Sequence, residues 1–411
     1  MNIKPLLKRI SKIDLEKKKE EKEFGLGVLL KRKRLELNLT QKEVAKNNCS
    51  ISYLSKVERN RINPNEQCLR FLMESVKVSK GEIYLLENAQ ELLTSAVEYS
   101  YNYDIDSYEQ LFSDIKDINN NQTAEIIKLG FYNLTHDTTP ANYIALKLME
   151  VVSSLDDLQL TSYALFISEH FFQIGRFLDA YEIVSELKNF TNLKYFEPLM
   201  KELLFKLSIY SGRMAKASSY YNDLAEYYIN HPNIKRILEL RLLYAELLYF
   251  ESEYESVIEI LNTVKDLADN ARFGQIDCLY GLSYYKLSKA ISSKEYLDKI
   301  DYKSKYFQYC INEKYELSED KDSFIQDVIT IHERTKNPYI KYFILVHTSK
   351  LVRSFFSSQS YLEAISTSSY YLKIYLYKLQ RDYLVSNSKY KDAILITKKM
   401  ESLKERKNEV K

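Results

Sequence analysis

The chain is poor in the residues that interrupt regular structure. Its 411 residues include only 8 Gly and 6 Pro, too little turn chemistry for a protein of many short strands, and the shortage favours helices. No segment approaches the roughly 18 consecutive apolar residues that a membrane span requires. Met1 to Glu23 is charged throughout and has no apolar stretch of the kind that marks a secretory leader. A cytoplasmic protein with no membrane partner is expected. The four cysteines, Cys49, Cys68, Cys278 and Cys310, have no metal-ligand spacing; an even count in so long a chain does not imply disulfides, so they read as reduced packing residues. The five histidines form no paired-ligand motif. Also missing are a phosphate-cradling glycine loop, a dinucleotide fingerprint and a Gly-x-Ser-x-Gly elbow. Acidic pairs such as Asp156-Asp157 and Glu319-Asp320 read as solvated helix ends. No metal, no cofactor and no enzymatic activity is expected.

What is present is unevenly placed charge. The net charge is only +2, yet residues 1–65 hold 17 Lys and Arg against 8 Asp and Glu, leaving about −7 for the remainder. A basic head on an acidic body assigns any contact with nucleic acid to the head. The length also exceeds what one compact core supports, so at least two structural units are expected.

Within the head, Phe24 to Tyr84 carries three spaced motifs. They are Leu26-Gly27-x-x-Leu30-Lys31-x-x-Arg34, Thr40-Gln41-x-x-x-Ala45 and Ser50-x-x-x-Leu54-Ser55-x-x-Glu58, followed by Pro64 and an apolar helix. This pattern resembles the helix-turn-helix domain of the Cro and lambdoid-repressor (XRE) class. Thr40 can cap the second helix, which sets Gln41 at that helix's amino end, where amides and dipole favour a phosphate. With Leu54 at the centre of the buried face of the third helix, 100° per residue turns Ser52 and Lys56 outward and brings Glu58 inward. In domains that this head resembles, the third helix enters the major groove. The resemblance therefore makes Ile51, Ser52, Ser55 and Lys56 the candidates for base edges. It also implies that Arg34, one turn after Leu30, forms a structural ion pair with the inward Glu58. Lys31, Arg32, Lys33, Arg59 and Arg61 read as backbone or solvent-facing charges, and residues 1–23 as a solvated charged helix.

Beyond Tyr84 a short pattern recurs: a turn, an apolar residue and, three later, a small one. It is seen at Phe177/Ala180, Met214/Ala217, Tyr254/Val257, Tyr361/Ala364 and Tyr390/Ala393, and the first two follow Gly175-Arg176 and Gly212-Arg213. Spacings of 37 residues from 177 to 214 and 40 from 214 to 254 are the length of a helix pair, similar to a degenerate tetratricopeptide repeat (TPR). Residues 85–155 hold further helices without a clear match, and 290–335 is less regular. In such repeats the first helix of each pair lines the concave side. Eight residues before the turn aromatics stand Glu169, Lys206, Glu246 and Arg353, a charged ladder. Eight after them stand Ser185, Asn222, Asn262 and Ser369. Glu169, Lys206, Asn222, Glu246, Asn262 and Arg353 are the candidates for holding a peptide, against the alternative of solvated faces or ion pairs between repeats.

The expected fold is all-α, a small helix-turn-helix domain followed by a TPR-like superhelix of helical hairpins. Its expected parts are a charged extension (1–23), an XRE-type DNA-binding domain (24–86), a linker with the first helices of the array (87–155) and a repeat domain for peptide sensing and dimerisation (156–411). That order of parts resembles the RRNPP group of peptide-responsive regulators (Rgg, PlcR and NprR types), and the segment Thr40 to Glu58, with its turn cysteine, is especially like the PlcR side of that group. The resemblance implies a homodimer on an inverted-repeat operator and a short quorum-sensing peptide that binds the groove and changes the spacing of the heads. Two alternatives stand beside it. One is a mobile-element regulator whose repeats bind a protein; the other is a dual regulator that also acts on a phosphorelay protein.

Overall fold

The computed structural model describes residues 2–11, 26–46, 49–59, 61–78, 80–119, 121–187, 195–268, 270–302, 304, 306–335, 337–348, 356–359, 361–362, 365 and 370–408. Among them there are helices and turns and no strand. The chain divides into two compact units, residues 1–173 with 182–200, and residues 174–181 with 201–411.

The first unit contains α1 (Lys4–Ile10) and the head helices α2 (Leu26–Glu36), α3 (Gln41–Ala45), α4 (Ile51–Glu58), α5 (Glu66–Ser75) and α6 (Lys80–Glu87). Polar side chains start the head helices. Thr40 accepts from the Glu43 amide while the Glu43 carboxylate accepts from the Thr40 amide at 2.7 Å, a reciprocal capping box. Ser50 accepts from the Tyr53 amide and Asn65 from the Cys68 amide. Leu30, Val44, Ala45, Leu54, Val57, Leu72 and Val76 form the head's core.

The same unit continues with α7 (Ala89–Asn102), α8 (Ile105–Ile115), α9 (Gln122–Leu134), α10 (Thr138–Glu150) and α11 (Asp157–Gln173). α9 is its axis, buried against α7, α8, α10 and α11. Gly130 makes this approach possible, since a Cβ there would lie 2.2 Å from the Tyr108 hydroxyl and 2.8 Å from the Phe166 ring.

Residues 177–181 of α12 (Phe177–Glu186) and 201–210 of α13 (Phe196–Tyr210) belong to the second unit. That unit continues with α14 (Met214–Asn230), α15 (Ile234–Phe250), α16 (Tyr254–Val264), α17 (Asn270–Lys286), α18 (Ala290–Leu297), α19 (Phe307–Leu317), α20 (Lys321–Thr335), α21 (Pro338–His347) and the helices Tyr370–Ser386 and Tyr390–Asn408.

One turn joins most of the hairpins in both units. Tyr103, His136, Gly175, Gly212, Ser252, Ser288 and Ser388 all have positive φ, between 50° and 79°, and each stands two residues before a second helix. At the fourth of these, the Gly212 amide bonds the Ile209 carbonyl at 3.0 Å and the Arg213 amide bonds the Ser208 carbonyl at 2.8 Å, the Schellman closure of a helix end. The same pair of bonds recurs at Tyr103, His136, Ser252, Ser288 and Ser388. The repeat thus begins in the 85–155 region, where no clear match was expected, and continues through 290. Three residues into the second helices, Ala141, Ala180, Ala217, Val257 and Ser293 are wholly buried, so the hairpins close on small side chains. Tyr390, the apolar residue of the last turn, is 60% exposed, with no further described hairpin to cover it. Ala364 lies outside the described residues.

Candidate nucleic-acid interface and inner repeat face

The third helix of the head, α4, has two chemically different sides. Leu54, Val57 and Glu58 are buried, while Ile51, Ser52 and Lys56 are exposed and Ser55 is half-buried. The inward carboxylate of Glu58 is fully engaged. Arg34 Nε donates to its Oε1 at 2.6 Å and Arg34 Nη2 to its Oε2 at 3.1 Å. A third bond comes from Gln41 Nε2, which donates to Oε2 at 2.7 Å. Gln41 was expected at a phosphate. In the structure its amide nitrogen is held by Glu58, which fixes α3 against α4. Arg34 Nη1 also donates to the Leu39 carbonyl at 2.9 Å, fastening the turn between α2 and α3.

Lys42, Lys46, Lys56, Arg59 and Arg61 are exposed around α3 and α4, a basic surround that water screens little once a polyanion lies against it. Lys33 departs from the expected solvent-facing role. Its Nζ lies 2.6 Å from Oε1 of Glu82, a buried residue of α6, so this charge ties α2 to α6. Nothing in the sequence spacing pointed to that pair, which joins elements 49 positions apart. The available signal was Glu82 one turn before Leu85, on the apolar side of α6.

In the first unit Glu169 is half-buried on α11, and after burial its charge is the main cause that raises the pKa of the Tyr108 hydroxyl. Ser185 is half-buried and bonds its own helix at the Glu182 carbonyl.

In the second unit the first helices of successive pairs present two polar rows. Glu239 of α15 sits between Lys206 of α13, at 3.2 Å, and Arg272 of α17. One to two turns along, Glu246 of α15 accepts from the Tyr210 hydroxyl at 3.3 Å and from Gln275 Nε2 at 2.8 Å. Tyr306 and Tyr309 extend this row onto α19: burial first, and then the Glu246 charge, pushes both phenols above their ordinary range. Tyr309 is nonetheless 45% exposed, so it borders solvent. Glu313, raised by burial, meets Lys286 at 3.9 Å, and Asn312 Nδ2 donates to the Tyr375 hydroxyl at 2.9 Å. The expected ladder is therefore brought together only in part. Lys206 and Glu246 stand on neighbouring first helices, each within ion-pair or hydrogen-bond networks. Asn222 is exposed on the second helix α14, and Asn262, on the second helix α16, accepts from the Tyr280 hydroxyl at 2.8 Å. Arg353 and Ser369 lie outside the described residues. Glu239, Arg272 and Gln275, which complete the rows, were missed because they stand 15 or 18 residues before Tyr254 and Ala290 rather than the eight that were counted.

This geometry defines a helix-turn-helix head carried by an all-α body of TPR-like hairpins. The helix-turn-helix family model matches residues 30–83. Over 332 residues, 77% of this chain and 74% of the relative, the sequence is 20% identical to the transcriptional activator NprA of Geobacillus stearothermophilus. The fold is similar to that of a Rap protein complexed with competence and sporulation factor, with a TM-score of 0.59 and 14% identity over 79% of this chain and 99% of that one. A Bacillus thuringiensis PlcR in complex with the peptide PapR7 and DNA matches at 14% identity over 75% of this chain and 97% of that one, with a TM-score of 0.26, too low to bear on the fold. The head is a helix-turn-helix domain, and the chain as a whole is similar to a transcriptional activator along most of that relative's length. Among the described residues no helix is long and apolar enough to cross a membrane.

Proposed function

We propose that this chain is a cytoplasmic, sequence-specific DNA-binding transcription regulator controlled by a short signalling peptide. One observation carries the DNA-binding half: Ser52 and Lys56 project from α4 while its opposite side is locked by the Arg34–Glu58–Gln41 network. A rigid helix with a short polar side chain and a flexible cation facing out, and Ser55 half-buried between them, is what major-groove readout needs. Ile51, 48% exposed beside them, fits a thymine methyl. Lys42 and Lys46, exposed beside α3, are suited to positioning on phosphates.

The sensing half rests on the rows of the second unit. Lys206 and Glu246, with Arg272 and Gln275, offer donors and acceptors on neighbouring first helices, and Tyr309 adds an aromatic wall open to solvent. An extended peptide satisfies such a surface with its main chain and its charged ends. NprA's description as an activator makes activation the direction to test first. A homodimer fits two heads on an inverted repeat, whose half-sites must lie about 34–36 Å apart or a multiple of it. The peptide acts only if it binds one arrangement better than the other.

The test has two stages. Wild-type protein selects duplexes from a random pool, and titration calorimetry is then run with synthetic peptides encoded by small open reading frames beside the gene. The reading expects a selected inverted repeat and a peptide whose binding changes affinity for it at least fivefold, with Glu246→Ala removing the peptide effect and sparing the duplex affinity. Failure to select any sequence over random DNA would overturn it.

A further inference from the structure

The first residues do not form the solvated helix that their charge led one to expect. α1 buries one edge: Ile3, Leu6 and Ile10 are 7%, 0% and 2% exposed, at the spacing that aligns them on one side of a helix. That edge packs on the 3₁₀ turn Val152–Ser154 and on α11. Arg9 Nη2 donates to the Leu155 carbonyl at 3.2 Å and pairs with Asp157 Oδ1 at 3.3 Å. Beside it, Leu7, Lys8 and Ser11 face Glu182, Ser185 and Glu186 across a hollow of about 370 Å³. Lys8 thus borders two carboxylates.

Two physical points follow. A helix of seven residues does not hold together by itself in water; α1 is ordered by what it rests on, so leaving its seat and unfolding are one event. The seat lies 146 to 148 positions further along the chain than Arg9, with the whole head in between. The head is therefore fastened to the repeats at both ends: through α6 and α7 behind it, and through α1 ahead of it.

We propose that the corner formed by Val152–Asp157 and α11 is a docking surface whose occupant is the chain's own N-terminal helix, residues 3–10, and that this contact restrains the head and sets its affinity for a paired operator. A second tether reduces the placements open to a head. It leaves contact with a single half-site unchanged and alters binding when two heads must reach two half-sites at once. The restraint has two states, seated and released, which is the property a switch element requires. This consequence rests on the DNA-binding reading of the head; the docking surface itself does not.

The experiment uses full-length protein in four forms: wild type, Leu6→Asp, Arg9→Ala, and Lys4→Ala as a control at an exposed position. Hydrogen exchange of the amides in residues 7–11 reports the seat directly. Binding to duplexes selected by the wild type, trimmed to one half-site or kept with two, reports the consequence. Leu6→Asp is expected to speed exchange at least tenfold, to leave one-half-site affinity within twofold and to change two-half-site affinity at least fivefold; Arg9→Ala should act in the same direction by less, and Lys4→Ala not at all. Unchanged exchange in Leu6→Asp would overturn the docking surface. Faster exchange with two-half-site affinity still within twofold would overturn its role in restraint. If the wild type selects no duplex, the reading of the head and the restraint drawn from it both fall, while exchange still decides whether residues 3–10 occupy the seat. Arg9→Ala, which removes no apolar contact, keeps the test decisive should Leu6→Asp fold poorly.

Discussion

Glu58 lies on the inner side of α4 and is clasped by Arg34, 24 positions earlier, with contacts at 2.6 and 3.1 Å that leave neither charge exposed. The pair holds the helix that carries Ser52 and Lys56 at one orientation. Removing one partner strands the other in an apolar core. Glu58→Ala should therefore destabilise the head by about 3–5 kcal/mol, and Glu58→Gln by less, because its amide oxygen still accepts from Arg34. Hydrogen exchange along α2 and α4 checks this. Retained protection in Glu58→Ala would mean that the pair does not anchor the helix.

Lys56 and Gln41 should fail in different ways. Lys56→Ala is expected to lose about 1–3 kcal/mol on the selected duplex with a loss of base preference. Gln41→Ala should weaken selected and random duplexes alike, since Gln41 Nε2 holds Glu58 and thereby seats α3, which carries Lys42, against α4. Fluorescence anisotropy with both duplexes separates the two patterns; parallel losses for Lys56→Ala would show that α4 does not read bases.

The hairpin turns make a prediction about stability. Gly212, at φ 78°, occupies a region where a Cβ costs about 1–2 kcal/mol. Gly212→Ala should destabilise the second unit by about that much. Ser252 stands at φ 69° in the same turn, and Ser252→Gly should be near neutral or slightly stabilising, because relief of that strain is offset by roughly 0.5–1 kcal/mol of added chain entropy. Thermal melts followed by circular dichroism compare the two; destabilisation by Ser252→Gly would contradict the turn geometry.

His347 packs against Tyr315 and Phe343, with ring centroids at 4.2 and 4.4 Å. Burial lowers its pKa from the ordinary 6.5, with Glu316 opposing and Lys321 assisting the shift. The folded protein thus binds fewer protons here than the unfolded chain. The favourable contribution is complete above the unfolded value near 6.5 and is lost as pH falls through the lowered folded value. Urea midpoints for the second unit should decline from pH 7.5 to 5, and the decline should be shallower in His347→Phe. Identical slopes would remove His347 from the pH dependence.

Much of the head was legible because its constraints are local. Thr40 before a helix, an outward Ser52 and an inward Glu58 follow from capping chemistry and 100° per residue, and only the partner of an inward carboxylate needed the resemblance. The body was legible where glycine marked the turn, at Gly175 and Gly212. Without glycine, the turns at Ser252 and Ser388 were still found through Tyr254/Val257 and Tyr390/Ala393, whereas those at Tyr103, His136 and Ser288 stayed obscure, because tertiary packing overrides these residues' preference for other backbone geometry. The polar rows of the second unit were half legible. Counting from turn aromatics found Lys206 and Glu246, but the same count led to Asn222 and Asn262 on second helices, where periodicity along one helix says nothing of which neighbour lies across from it.

By itself the amino-acid order determined the helical class, the basic head and the two-sided character of α4, since each depends on composition or on a period within a single element. Tertiary structure alone decided that Lys33 meets Glu82, that Gln41 turns to Glu58 and that residues 3–10 settle on a corner 146 positions away. Those contacts join segments distant in the chain, and their energy comes from burying groups together, which no spacing along the chain encodes.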